Sequence, residues 1–79
     1  MTLRTPNASA AIDYVRAQFA NYDSPETFTV CGTVAPGRDS SGIIPGSRDV
    51  LFIVDGNPKP ARFTVWHDEV YGGELYGEW

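Results

Sequence analysis

One cysteine, Cys31, and one histidine, His67, are all that this 79-residue chain holds of the side chains most used as soft metal ligands and nucleophiles. A lone Cys31 forms no internal disulfide and no multi-cysteine metal site, which fits a reducing compartment. Long apolar runs are also missing. None approaches the roughly 18 to 20 residues of a membrane helix, and the first residues lack the basic start and apolar block of a secretory signal. The expected location is the cytoplasm in which the chain is made. Phosphate-cradling glycine patterns and zinc spacings are absent, and the scattered acids do not match a calcium loop. No cofactor, metal or catalytic residue is assigned, and an enzyme is not expected.

Basic residues are scarce, with six Lys and Arg against ten Asp and Glu and a net charge of −4. Up to Val65 the acids and bases balance, and no Lys or Arg follows Arg62. The whole excess sits in Asp68, Glu69, Glu74 and Glu78. Such an end repels nucleic acid, whose binding needs a basic surface, and attracts a basic protein surface.

With 42% hydrophobic and 20% charged residues, the composition is that of an ordinary globular protein. Its length suits one domain, residues 1–79, of modest stability, because so short a chain buries only about 60 to 65% of its unfolded surface.

TPNASAAIDYVRAQFANYDSP reads as the single helix. Thr5 is placed to cap it with Pro6 in the first turn. Ala8, Ala11, Ile12, Val15, Phe19 and Tyr22 recur at three- and four-residue steps, and the helix should end between Asn21 and Ser24, before Pro25. The period then changes to two. In TFTVCGTVA the residues Phe28, Val30, Gly32 and Val34 point one way, as in a strand with one buried face. DVLFIVD is apolar on both faces and reads as a central strand. ARFTVWHDEVY follows, and Gly72-Gly73 supplies a tight hairpin turn before ELYGEW. The expectation is an α+β fold, one N-terminal helix packed on a four-stranded antiparallel β-meander.

Between the first two strands lies PGRDSSGIIPGSR, a long loop for so small a domain, and long loops are usually functional or mobile. Its Ile43 and Ile44 either tuck under the loop and pin it or form an exposed apolar tip for a partner. Cys31 and His67 would make a Cys-His pair only if their strands were neighbours.

The terminal hairpin WHDEVYGGELYGEW holds the candidate site. A two-residue turn at Gly72-Gly73 places Trp66, Val70, Leu75 and Trp79 on an inward face. His67, Glu69, Tyr71, Glu74, Tyr76 and Glu78 then look outward, with Glu69 diagonal to both Glu74 and Glu78. Since Phe63 and Val65 share parity with His67, this register requires a bulge near Val65 to Trp66. Asp68, Glu69, Glu74 and Glu78 with Tyr71 and Tyr76 either guard an edge strand against pairing with another chain or form a partner-binding patch.

In size, acidity and lack of motifs, the whole chain resembles the small single-domain inhibitors encoded by phages and mobile elements. Foremost among these are the anti-CRISPR proteins directed at type I systems, type I-C among them. The resemblance implies a non-enzymatic protein of the bacterial host cytoplasm. It would bind the host's guide-RNA surveillance complex through Lys and Arg that otherwise hold phosphate, and so obstruct target DNA. It implies no direct contact with nucleic acid and assigns no residue. The alternative is a small structural or accessory oligomer, such as a homodimer, associating through its sheet edge or the 36–48 loop.

Overall fold

In a computed structural model of the chain, the structure describes residues 4–20, 28–68 and 73–78. Helix α1 spans Ala8–Phe19 and the strands are β1 (Phe28–Val34), β2 (Gly37–Asp39), β3 (Gly42–Ile44), β4 (Ser47–Val54), β5 (Ala61–Asp68) and β6 (Glu74–Glu78). The main sheet is antiparallel with order β1-β4-β5-β6, and β2-β3 form a separate two-stranded hairpin. The architecture is thus α+β, with the N-terminal helix against a four-stranded antiparallel sheet.

The helix cap is Asn7 rather than Thr5. Asn7 Oδ1 accepts from the Ala10 N–H at 2.8 Å, and asparagine is at least as good a cap as threonine. Pro6 therefore precedes the helix, where it is fully buried. The helix also stops earlier than its apolar spacing suggested, at Phe19 with Ala20 as the C-cap. Tyr22 and the expected end at 21–24 lie outside the described residues.

Ala11 and Val15 are buried completely against Val50, Phe52 and Val65, with Phe63 completing the core. Phe19 closes one end. Its ring lies 4.5 Å from that of Phe28, and it meets Phe52 edge-on at 5.0 Å and Phe63 at 6.3 Å. These are favoured separations for aromatic pairs. β4 is the central strand that its apolar faces indicate, flanked by β1 and β5.

Strict alternation fails in β1. Val30 pairs with Phe52 and Gly32 with Leu51, so Cys31 is an extra residue, a β-bulge. Past it the faces exchange. Thr33 lies opposite buried Val50 on the helix side, and Val34 turns outward, 49% exposed. The expectation that Phe28, Val30, Gly32 and Val34 share one face therefore holds only to Val30.

One polar contact exploits this exchange. Arg48, on the helix side of β4, donates from Nη1 to Thr33 Oγ1 at 2.9 Å and from Nε to the Pro6 carbonyl at 2.8 Å. The segment entering α1 is thereby tied to two strands.

The 36–48 segment is not an open loop. β2 and β3 pair Gly37 with Ile44 and Arg38 with Ile43, and the hairpin crosses the sheet face opposite the helix. A Cβ at Gly37 would stand 2.6 Å from Ser47 Oγ and 2.7 Å from Asp49 Oδ1, so only glycine permits so close a crossing. Buried Ser47 accepts from the Gly37 N–H at 2.9 Å and donates to the Ile44 carbonyl at 2.6 Å. Asp49, only 3% exposed, accepts from the Arg38 N–H at 3.1 Å and from Thr64 Oγ1 at 2.7 Å. Among the described residues no helix is long and apolar enough to cross a membrane.

Candidate functional site

The register of the last two strands decides which side chains share a face. Asp68 pairs with Glu74, His67 with Leu75, Trp66 with Tyr76, Val65 with Gly77 and Thr64 with Glu78. Asp68 opposite Glu74 is not the register of the expected two-residue Gly72-Gly73 turn, which sets Tyr71 opposite Glu74. The physical reason is in the core. Phe63 and Val65 must face the helix, and continuing their parity sends His67 and Leu75 to the same side. No bulge at Val65 to Trp66 is needed, and the irregularity of the sheet lies in β1 instead.

This register moves Trp66 from the inward to the outward face, beside Tyr76. Asp68 takes the place expected for Glu69. Asp68, Glu74, Tyr76 and Glu78 thus lie together on the face away from α1. Glu74 and Glu78 are exposed, Asp68 and Tyr76 half-buried, and the Tyr76 hydroxyl donates to Glu74 Oε2 at 3.2 Å. The expectations placed on Glu69 and Tyr71, like those on Val70 and Trp79, lie outside the described residues.

Ile43 and Ile44 divide between the two readings of their loop. Ile43 is 58% exposed at the hairpin, whereas Ile44 is half-buried and its carbonyl is held by Ser47.

Cys31 and His67 do not form a pair. Their strands, β1 and β5, are separated by β4, and His67 Nδ1 lies 3.0 Å from the Gly73 carbonyl. Among the described residues no three or more His, Cys, Asp or Glu side chains gather as a metal site.

A meander with one helix across it is expected to leave little room for a small-molecule pocket, but the β2-β3 hairpin makes one on the other face. A half-open space of about 530 Å³ lies between the β2-β3 hairpin and the outer face of β5 and β6. Thr64 and Trp66 line it on the sheet side, Ile44 and Pro45 on the hairpin side, and Arg38, Arg62, Asp39 and Glu78 supply its charges. Arg62, with 46% of its side chain exposed, approaches Asp49 Oδ2 with Nε at 3.5 Å. The signal for this space was the pair of PG turns around Ile43 and Ile44. They allow the segment to fold back over the sheet, but a crossing hairpin is a tertiary arrangement that no local period reveals.

No family model, curated protein or solved structure matches the chain. The functional reading therefore rests on the two surface features themselves, the acidic edge and the cavity beside it.

Proposed function

We propose that the chain is a non-enzymatic binding protein whose acidic, aromatic sheet edge docks on a basic groove of a partner and competes there with nucleic acid. The observation that carries this reading is the common face of Asp68, Glu74, Tyr76 and Glu78 on a part of the chain with no Lys or Arg. Asp68 and Glu74 are direct cross-strand partners, and like charges so placed lower stability. Carboxylates gathered on one face suit Lys and Arg that otherwise hold phosphate, and tyrosine is a favoured interface anchor. Following the resemblance to type I anti-CRISPR proteins, the partner is a host CRISPR surveillance complex, and the consequence of docking is that target DNA is kept from it.

The test is DNA binding by a purified type I-C surveillance complex with and without the protein. The native chain should abolish the DNA complex. Glu74→Lys with Glu78→Lys should not, while the melting temperature stays nearly unchanged, because exposed charge changes usually alter stability by less than about 0.5 kcal/mol. If the double variant obstructs DNA as well as the native protein, the acids only guard an edge. A second reading is favoured by the exposure of Ile43 and Val34, 58% and 49%, which suits self-association. A sedimentation coefficient that rises with concentration, and ceases to do so in Ile43→Ser, would support that oligomer.

A further inference from the structure

The cavity between the hairpin and the sheet is not needed by a protein that acts only through its acidic edge. Its volume, about 530 Å³, is within the range of small-molecule sites, roughly 300 to 1,000 Å³. We infer that it binds a small ligand joining one anionic group, a phosphate or a carboxylate, to a planar ring.

Three observations fix this chemistry. First, both arginines of the cavity have donors to offer. Among the described residues the Arg38 guanidinium has no hydrogen-bond or ion-pair partner, and Arg62 touches Asp49 only through Nε at 3.5 Å. Guanidinium forks bind carboxylate and phosphate oxygens in pairs, and two of them line this one cavity. Second, the Trp66 indole lines the same space with Ile44 and Pro45, giving an aromatic surface and apolar contacts for a ring. Third, Asp39 and Glu78 supply acceptors for ring or hydroxyl donors.

The same acids limit the size of the ligand. Glu78 belongs both to the cavity and to the acidic row with Asp68 and Glu74. A polynucleotide threading past the arginines would meet that row, whereas a ligand with a single anionic group need not. Asp49 accepts from the Arg38 backbone N–H and from Thr64 Oγ1, so hairpin and sheet are fixed to each other at the cavity.

This inference shares only Glu78 with the proposed docking face, and it is tested at Arg38 and Arg62, which that face does not use. The experiment is a titration of the isotope-labelled protein, followed by nuclear magnetic resonance at the Trp66 indole N–H. The probes are a purine nucleoside 5′-monophosphate, the corresponding nucleoside, indole-3-carboxylate, inorganic phosphate and a single-stranded oligonucleotide. Saturable shifts at Trp66 and at the Ile44 and Gly46 amides are expected with the mononucleotide, the carboxylate or both, and whichever acts identifies the source of the anion. The nucleoside and inorganic phosphate should bind more weakly. Arg38→Gln keeps the backbone N–H bonded to Asp49 and should weaken binding about ten- to a hundredfold, the loss expected for a hydrogen bond to a charged group. Arg62→Gln should act in the same direction. Absence of shifts at Trp66 with both anionic ring compounds at millimolar concentration would overturn the inference. So would equal affinity for inorganic phosphate or the oligonucleotide, or unchanged binding by both arginine variants.

Discussion

Asp49 is the residue on which the outer face depends. Almost fully buried, it receives a backbone N–H from β2, a hydroxyl from β5 and the approach of Arg62. The Arg62 contact is long and half in water, so it contributes little, as exposed ion pairs do. The Thr64 hydroxyl bond is short at 2.7 Å and the Arg38 N–H bond longer at 3.1 Å, and a hydrogen bond to a charged group is worth about 1.5 to 3 kcal/mol. Asp49→Ala should therefore cost about 3 to 6 kcal/mol in urea denaturation, and the Arg38 amide should exchange with solvent much faster. Arg62→Ala should change stability far less. Comparable losses from the two substitutions would show that the ion pair, not the hydrogen bonds, holds the hairpin down.

At the scale of the element, the helix and the strand order were legible because periodicity is local. A 3.6-residue stripe around Ala11, Val15 and Phe19 can mean only one face of a helix, and the apolar run in DVLFIVD, whose Val50 and Phe52 are fully buried in β4, is a central strand. Phe19 is the helix's main contribution beyond α1's first turns, since it packs against Phe28, Phe52 and Phe63. Phe19→Ala should cost about 3 kcal/mol, the lower end for a large core ring because Phe19 is only half-buried. A thermal melt within a degree or two of the native protein would mean that the helix is not the lid of this sheet. What remained illegible has a shared cause. The bulge at Cys31, the register of β5 with β6 and the crossing of the β2-β3 hairpin are settled by which side chains the whole core needs inward. Val34 reads like Val30 in isolation, and only the pairing of Gly32 with Leu51 sends it out. For the candidate site, the acids of β6 were placed on one face correctly, since Glu74, Tyr76 and Glu78 alternate within a single strand. Their partners across the strand were not, because that requires the length of the connection.

For the molecule as a whole, with extents of 41 × 25 × 18 Å, charge is distributed unevenly along the chain. All six Lys and Arg lie at or before Arg62, and the acidic excess lies beyond it. Opposite charges steer association, and physiological salt screens them over about 8 to 10 Å. The association rate with a basic partner should therefore fall steeply as sodium chloride is raised, with a smaller change in the dissociation rate. Stopped-flow measurements at several salt concentrations would check this, and a flat rate would exclude steering by the acidic edge.

The bulge at Cys31 bears on how the protein behaves in a crowd of its own copies. β1 and β6 are the open margins of the sheet, each able in principle to template a strand from another chain and begin a fibre. At β6 that growth is opposed by carboxylates; at β1 it is opposed by phase. The extra residue puts the free N–H and C=O groups of one half of the strand out of step with those of the other, so an incoming strand matches only half its length. Removing Cys31 would make Val30 and Gly32 neighbours while leaving their partners Phe52 and Leu51 as they are, and the margin would become regular. That deletion variant should still fold, yet on prolonged shaking it should bind thioflavin sooner than the native chain. A single unpaired residue would then set how long this small protein stays dispersed.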